Sequence, residues 1–192
     1  MRYNFSELLH WGEMGQSTIA RWLQSRGHSI LPMYEKELDN GKGPRMFAPD
    51  REIITPDLLA IRAGNALWIE CKHKKHFTWH RLTQRWTTGI DRYHYDEYLE
   101  IQRRYPWKIY LLFLHRERLP AFSDRLKSLA TGGCPVTCPT GLFGGELRYL
   151  SANINHTSGK WGKGGMVYWS AETLSLFATT EEIVHLDLVH SI

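Results

Sequence analysis

Two short apolar segments lie close together near the middle of the chain, at residues 57–62 and 66–72. Leu, Ile and Trp fill both segments, and a turn over residues 62–65 (Arg-Ala-Gly-Asn) joins them. Gly and Asn readily adopt the backbone conformations of a tight turn, so the pattern predicts an antiparallel β-hairpin. A turn at this position would place Asp57 directly opposite Glu70 on the partner strand.

Three charged side chains share one face of this predicted hairpin. Successive side chains on a strand point to opposite faces, so Glu70 and Lys72 point the same way and Cys71 points the other way. Asp57 joins Glu70 and Lys72, because residues paired across two strands lie on the same face. An uncompensated buried charge is costly in a core, whereas carboxylate oxygens are good ligands for a divalent cation. The hairpin therefore predicts a metal site.

The remaining hydrophobic pattern predicts an α/β fold. Apolar residues recur at helical spacing before and after the hairpin, and two further segments have the apolar character of strands. The predicted elements are a helix at 6–26, a strand at 28–34 with Pro32 near its end, a helix at 91–105 and a strand buried on both faces at 107–114. With the hairpin, this order indicates a mixed central β-sheet flanked by helices, α-β-β-β-α-β.

The chain after residue 115 has a weaker pattern. We predict a single domain over residues 1–192, with a core at about 6–115 and an irregular, Gly-rich C-terminal extension at 116–192. The extension matches no phosphate-binding loop pattern. Its predicted elements are a short helix at 122–130, a strand at 166–169 and a terminal element of undetermined type at 180–189. Further candidate contacts to nucleic acid are Arg148, Lys160 and Lys163.

Glu13 is a further candidate for the metal site. It lies on the predicted first helix, on the same helix face as the small residues Ser17 and Ala20. Such a face packs closely against a sheet, which would aim Glu13 at the charges of the hairpin. The alternative is a solvated Glu in the first helical turn, where the helix dipole favours a negative charge.

A second Pro-Asp pair, at residues 49–50, competes with Asp57 for the metal role. It lies in the polar segment 35–52, which predicts a mobile surface loop. Asp57 is preferred because it opens a strand in register with Glu70, whereas an Asp after Pro in a loop is ordinary turn chemistry.

Basic and aromatic residues alternate through residues 73–86, directly after the hairpin. A surface of this kind holds phosphates and stacks on exposed bases. We therefore predict a nucleic-acid-binding loop whose phosphate contacts are Lys74, Lys75, Arg81 and Arg85. The alternative is a solvated basic loop with one or two buried aromatic side chains.

Composition limits the class of protein. A hydrophobic fraction of 42% and a charged fraction of 23% are typical of a soluble globular domain. A net charge of +4 is compatible with a polyanionic partner such as DNA. The chain has no apolar run of about 18 residues, so no membrane span is expected, and its start lacks the pattern of a signal peptide. The odd number of cysteines argues against a disulfide framework and for the cytoplasm.

Cys134 and Cys138 form a closely spaced pair of potential zinc ligands. A structural zinc site usually needs four N or S ligands. No second cysteine pair follows, and the nearest downstream histidine is His156. We therefore expect no zinc site at this pair.

The hairpin also resembles a known enzyme superfamily. Asp57, followed by Glu-Cys-Lys at residues 70–72, resembles the PD-(D/E)xK nuclease signature in its expected strand context. Glu13 on a first helix that precedes an apolar strand resembles the layout of archaeal Holliday-junction resolvases and related phage nucleases. The resemblance covers residues 13–115 and reaches no further.

This resemblance implies a deoxyribonuclease that depends on Mg²⁺ (or Mn²⁺), selects DNA by structure and has a phage or mobile-element origin. Asp57, Glu70 and the backbone carbonyl of Cys71 would hold the cation, and Glu13 would reach it through water or help to recruit a second ion. Lys72 would orient or activate the attacking water. Resolvases of this kind act as homodimers, whereas exonucleases of the superfamily often assemble into rings.

Two other classes of function stay open. A DNA-binding module that keeps this fold without turnover predicts salt-sensitive binding and no Mg²⁺-dependent product. A structural or protein-binding domain predicts neither. In that last case, Asp57, Glu70 and Lys72 would form a surface ion-pair cluster, which usually contributes little to stability.

Overall fold

The structure is a computed structural model that describes residues 5–33, 44–131, 133–162 and 164–189. None of the helices in these ranges is long and apolar enough to cross a lipid bilayer. The helices are α1 (Phe5–Ser25), α2 (Arg92–Arg104), α3 (Phe122–Thr131), α4 (Leu147–Ala152) and α5 (Thr180–Val189). The strands are β1 (Ser29–Pro32), β2 (Arg45–Phe47), β3 (Glu52–Ile54), β4 (Leu58–Arg62), β5 (Asn65–Lys74), β6 (Thr78–His80), β7 (Arg85–Asp91), β8 (Lys108–His115), β9 (Gly141–Glu146), β10 (His156–Ser158), β11 (Met166–Ser170) and β12 (Ser175–Ala178).

A six-stranded central sheet organises the fold, with the strand order β1-β4-β5-β8-β9-β12. β5 and β8 are parallel, and the other neighbouring strands are antiparallel, so the sheet is mixed. α1 and α5 pack on one face of the sheet. α2 and a second sheet, with the order β10-β11-β7-β6, cover the other face. The predicted fold class, a mixed central sheet flanked by helices, is confirmed.

β8 is buried on both of its faces. Leu111 and Phe113 point into the core that includes α2 and the second sheet, whereas Leu112 and Leu114 point towards α1 and α5. Each of these four side chains is at most 2% exposed. A strand buried on both faces needs apolar residues at every position rather than at alternate ones. This explains the continuous apolar run, and the predicted strand is confirmed.

β4 and β5 form the predicted hairpin in the predicted register. The ladder pairs Leu58 with Ile69, so Asp57, one residue earlier, lies opposite Glu70. Gly64 in the turn has a positive φ of 77°, the left-handed backbone conformation that Gly adopts without steric cost. Local turn geometry and strand alternation therefore place the two carboxylates on one face, as the sequence predicted.

The chain after residue 115 is not an irregular extension. β9 and β12 are neighbouring strands of the central sheet next to β8, and α5 packs on α1. β9 is buried although it contains three glycines. A Cβ on Gly144 would lie 2.3 Å from the Leu111 carbonyl oxygen, so this close approach requires Gly. Glycine lowers the strand propensity of a segment, which is why the predicted boundary between core and extension was wrong.

Two segments that were predicted as loops contain strands. Within residues 73–86, β5 continues to Lys74 and β6 and the start of β7 follow. In the polar segment 35–52, β2 pairs with β3 across residues 48–51, while residues 34–43 lie outside the described part of the chain. Strands of three residues are too short for hydrophobic alternation to appear in the sequence. The predicted elements at 122–130 and 166–169 are confirmed, and the terminal element of undetermined type is the helix α5.

Candidate active site

Asp57, Glu70 and Lys72 come together on the face of the central sheet that packs against α2. Glu70 is 1% exposed, and the Lys72 ammonium forms an ion pair with Glu70 Oε1. The Lys72 side chain is 26% exposed, so the pair lies at the mouth of a buried site. This burial argues against the surface ion-pair cluster, because exposed pairs are solvated on all sides.

Tyr98 holds the other oxygen of Glu70. Its hydroxyl donates a hydrogen bond of 2.6 Å to Glu70 Oε2 from the buried face of α2. Burial and the neighbouring Glu70 charge raise the pKa of Tyr98 well above its usual value, so the hydroxyl keeps its proton and stays a donor. The sequence predicted the helix that carries Tyr98 but did not assign this residue to the site. A hydroxyl-bearing residue on the buried side of that helix was the available signal.

Asp57 is a half-buried carboxyl beside a second carboxyl. The Cys71 amide donates a hydrogen bond of 2.8 Å to Asp57 Oδ2. Burial and the charge of Glu70 raise the pKa of Asp57 to about 7, although Lys72 and this hydrogen bond oppose the rise. Near neutral pH, the site therefore binds a proton where an ordinary aspartate has none.

The amine of Lys72 keeps its proton. Burial lowers its pKa, but the adjacent charges of Glu70 and Asp57 outweigh that effect and raise the pKa above its usual value. Lys74 follows on the same face of β5, where burial and the charge of Lys72 lower its pKa. The face thus carries a row of charges in the order Glu70, Lys72, Lys74.

The residues of this group are chemically compatible with Mg²⁺ or Mn²⁺. Within the described ranges, no group of three or more His, Cys, Asp or Glu side chains is arranged to hold a metal ion. Asp57 and Glu70 supply the two carboxylates. Mg²⁺ is commonly bound in proteins by one or two carboxylates, with water and substrate phosphate completing its coordination. The raised pKa of Asp57 is consistent with this, because the negative charge of Glu70 helps to raise it. A bound cation would reduce the repulsion between the two carboxylates, as a bound proton does.

Glu13 lies on the other side of the sheet from this group. It lines a cleft of about 510 Å³ together with His73 and Arg116. His73 points to the face of β5 opposite Lys72, because neighbouring side chains on a strand alternate. The charges that shift the pKa of Asp57 are those of Glu70 and Lys72. The structure brings Glu70 and Lys72 to Asp57, and it places Glu13 on the α1 face of the sheet.

The predicted phosphate contacts are spread over strands β5 and β7 and the two loops that join β5, β6 and β7. Lys74 ends β5 and is half-buried, whereas Arg81 is exposed in the turn between β6 and β7. Lys75 lies 3.9 Å from a carboxylate oxygen of Glu117. Arg85 is exposed and forms an ion pair of 3.2 Å with Glu172. Lys74 is therefore the one of these four that continues the charged row of β5.

The competing candidates have local partners. Asp50 is exposed and accepts two hydrogen bonds, of 2.7 and 2.8 Å, from Arg104. These bonds lower the pKa of Asp50 to about 2. The Cys138 thiol donates to the Glu117 carbonyl oxygen at 3.1 Å, and Cys134 contacts the carbonyl oxygen of Pro135 at 3.5 Å.

Comparisons with known proteins give a structural likeness and no sequence relative. No protein family model matches the chain, and no curated protein matches it significantly. Among solved structures, the fold is similar to that of Hjc from Archaeoglobus fulgidus, a Holliday junction resolvase from an archaeal hyperthermophile. That similarity has a TM-score of 0.48 and 9% sequence identity, and it covers 84% of this chain and 90% of the resolvase.

Proposed function

We propose that the protein is a metal-dependent nuclease that hydrolyses phosphodiester bonds of DNA. The observation that carries this proposal is the buried group of Asp57, Glu70 and Lys72, in which one carboxyl has its pKa raised to about 7. A core gains nothing from two adjacent carboxylates. A site that binds a divalent cation and a phosphate needs them.

Asp57 and Glu70 would hold Mg²⁺ or Mn²⁺ through carboxylate oxygens, and the Cys71 carbonyl is the proposed backbone ligand. When bound, such an ion lowers the pKa of a coordinated water and neutralises charge on the scissile phosphate. Tyr98 fixes the orientation of Glu70, because its hydroxyl holds Oε2 at 2.6 Å. Glu13 lies on the other face of the sheet, so its proposed role is limited to a second ion outside the site of Asp57 and Glu70.

Lys72 would orient the attacking water and stabilise negative charge on the transition state. Its raised pKa keeps the ammonium charged at every physiological pH, and a fixed positive charge in a buried site is most effective there. Lys74, next in the row, would contact a backbone phosphate. Lys75, Arg81 and Arg85 are proposed as further phosphate contacts.

The test compares Lys72→Met with the wild-type protein. Both are incubated with linear duplex, single-stranded, flapped and four-way DNA, in Mg²⁺ or in EDTA, and new DNA ends are counted. We expect Mg²⁺-dependent ends from the wild type, none from Lys72→Met, and similar DNA binding by both. Lys108→Met is the matched control, because Lys108 lies in the same sheet and pairs with Glu146 at 3.2 Å. Wild-type cleavage by Lys72→Met would overturn the proposal.

A DNA-binding module without turnover is the second candidate, and one observation favours it. Both oxygens of Glu70 are already engaged, one by Lys72 and one by Tyr98. A polar group satisfied by protein partners has less need of a cation. This candidate predicts DNA binding that weakens with salt, with no new ends in either Mg²⁺ or EDTA.

A further inference from the structure

An exposed tryptophan lies on the turn that joins β10 to β11. Trp161 is 61% exposed, and the Lys160 ammonium lies 5.5 Å from the centroid of its ring. We call residues 159–162 with 164–165 the Trp161 loop; Lys163 lies outside the described residues. Trp is usually buried over most of its surface, so a solvent-exposed indole next to a cation indicates a binding surface.

The Trp161 loop packs against the end of β7, at Asp91 and Arg92. The Arg92 amide donates to the Gly165 carbonyl oxygen at 2.9 Å. A Cβ on Gly162 would lie 2.1 Å from Asp91 Oδ1, so the loop backbone passes directly against that carboxylate. Asp91 in turn acts electrostatically on Lys74. The loop backbone thus packs against a carboxylate whose charge acts on Lys74, in the row that begins at Glu70.

Glycine gives the loop a defined shape. Gly162 and Gly165 have φ values of 72° and 102°, in the left-handed region that favours glycine. A Cβ on Gly165 would also lie 2.6 Å from the Ser158 carbonyl oxygen. The close backbone packing fixes the base of the loop, so the Trp161 ring is presented from an anchored turn.

Charge around the ring suits a polyanion. The Lys160 ammonium lies over the indole, and the charge of Lys74 interacts with that of Asp91, against which the loop packs. Proteins that bind single-stranded nucleic acid combine cations along the backbone with aromatic rings on which the bases stack. In a duplex, the base faces are covered by neighbouring base pairs, so an exposed ring stacks only on a base that is unpaired.

We propose that Trp161 stacks on an unpaired nucleobase of the substrate, while Lys160 and Lys74 contact the adjoining phosphates. This inference rests on the proposed function and names its substrate class, DNA with unpaired nucleotides beside the scissile bond. Trp161 is thus a specificity-determining residue, and Asp57, Glu70 and Lys72 act on the neighbouring phosphate.

The first experiment measures binding in EDTA, where cleavage is absent. Fluorescence anisotropy gives the Kd of Trp161→Ala and wild type for a labelled single-stranded oligonucleotide and for its duplex. Base-aromatic stacking is worth about 1–3 kcal/mol, so we expect at least about fivefold weaker binding of the single strand. Duplex binding should not change. Trp161→Phe should keep most of the affinity, and Tyr149→Ala, which removes another exposed ring from α4, should keep all of it.

The second experiment removes the base instead of the ring. Wild-type protein should bind an oligonucleotide that contains a run of abasic sites less tightly than the intact strand. Trp161→Ala should lose no further affinity on the abasic strand. Three results would overturn the inference: Trp161→Ala loses as much affinity for the abasic strand as for the intact strand, it loses as much for the duplex as for the single strand, or it loses none. If the wild type cleaves no DNA but the Trp161 effect is present, the proposed nuclease function fails and the stacking site stands.

Discussion

Tyr98 and Glu70 are joined by a hydrogen bond of 2.6 Å, and each of the two side chains is 1% exposed. The bond connects α2 to the central strand β5, across 28 positions of sequence. It leaves the Glu70 carboxylate held from two sides, with Lys72 on the other oxygen. The orientation of the candidate catalytic carboxylate is therefore set by the packing of a helix on the sheet.

Tyr98→Phe should lower the free energy of unfolding by about 1.5–3 kcal/mol, because it removes a buried hydrogen bond to a charged acceptor. Urea denaturation measures the change. Cleavage by the variant should also fall, since Glu70 loses one of its two restraints. Tyr95→Phe is the matched control on α2; Tyr95 is 5% exposed and its ring packs against Trp169. Equal losses of stability and cleavage in both variants would contradict the assigned role of Tyr98.

Asp57 makes stability depend on pH in a defined direction. Its pKa is raised from 3.8 to about 7 in the folded protein, so between these values the folded state binds a proton that the unfolded state has released. The stability from protonated Asp57 is fully present below about pH 4 and is lost as the pH rises through about 7. As the pH rises from about 4 to about 7, Asp57→Asn should therefore gain stability relative to wild type. Above that range, the difference between the two proteins should not change further.

Urea midpoints at a series of pH values test this prediction. The quantity compared is the difference in the free energy of unfolding between variant and wild type at each pH. Other buried groups also make stability depend on pH, such as His115, because burial lowers its pKa to about 3. Asp50→Asn is the control. Arg104 lowers the pKa of Asp50 to about 2, so the stability from that carboxylate is present above about pH 4 and lost only as the pH falls below it. A pH-independent difference for Asp57→Asn would show that its carboxyl titrates normally.

A divalent cation should stabilise the folded protein. Ligand at 100 times its Kd adds about 2.7 kcal/mol to the free energy of unfolding, which thermal melts in Mg²⁺, Mn²⁺ and EDTA detect as a shift in Tm. Glu70→Gln should abolish the shift. Glu146→Gln should retain it, because Glu146 pairs with Lys108 elsewhere in the same sheet. A shift of equal size in both variants would place the cation elsewhere.

Gly144→Ala should destabilise the protein by about 1–3 kcal/mol, as overpacking of a core usually does. Its new Cβ would lie 2.3 Å from the Leu111 carbonyl oxygen, which belongs to the sheet backbone and cannot move aside easily. Gly159→Ala, in the Trp161 loop, is the control, because a Cβ there meets no atom within 4 Å among the described residues. Chemical denaturation of both variants gives the comparison. Similar stabilities would mean that β9 does not pack against β8 as described.

The sequence alone determined the fold class and the most local part of the candidate site. Strand alternation and a tight turn act over a few residues, so they were enough to place Asp57 opposite Glu70 and to put Lys72 on the same face. The apolar run of β8 predicted a strand buried on both faces for the same reason: the signal lies in consecutive residues.

Tertiary packing alone decided the remainder. Tyr98 meets Glu70 only because α2 packs on this face of the central sheet, against β8, and no spacing within the helix predicts that contact. The glycines of β9 predict irregular structure from the sequence alone. In the fold, Gly144 is required because the Leu111 carbonyl oxygen leaves no room for a Cβ. Glu13 lies on the α1 face of the sheet because of how the helix crosses β5. Each of these arrangements joins residues far apart in sequence, and the free energy that fixes them comes from close packing between elements.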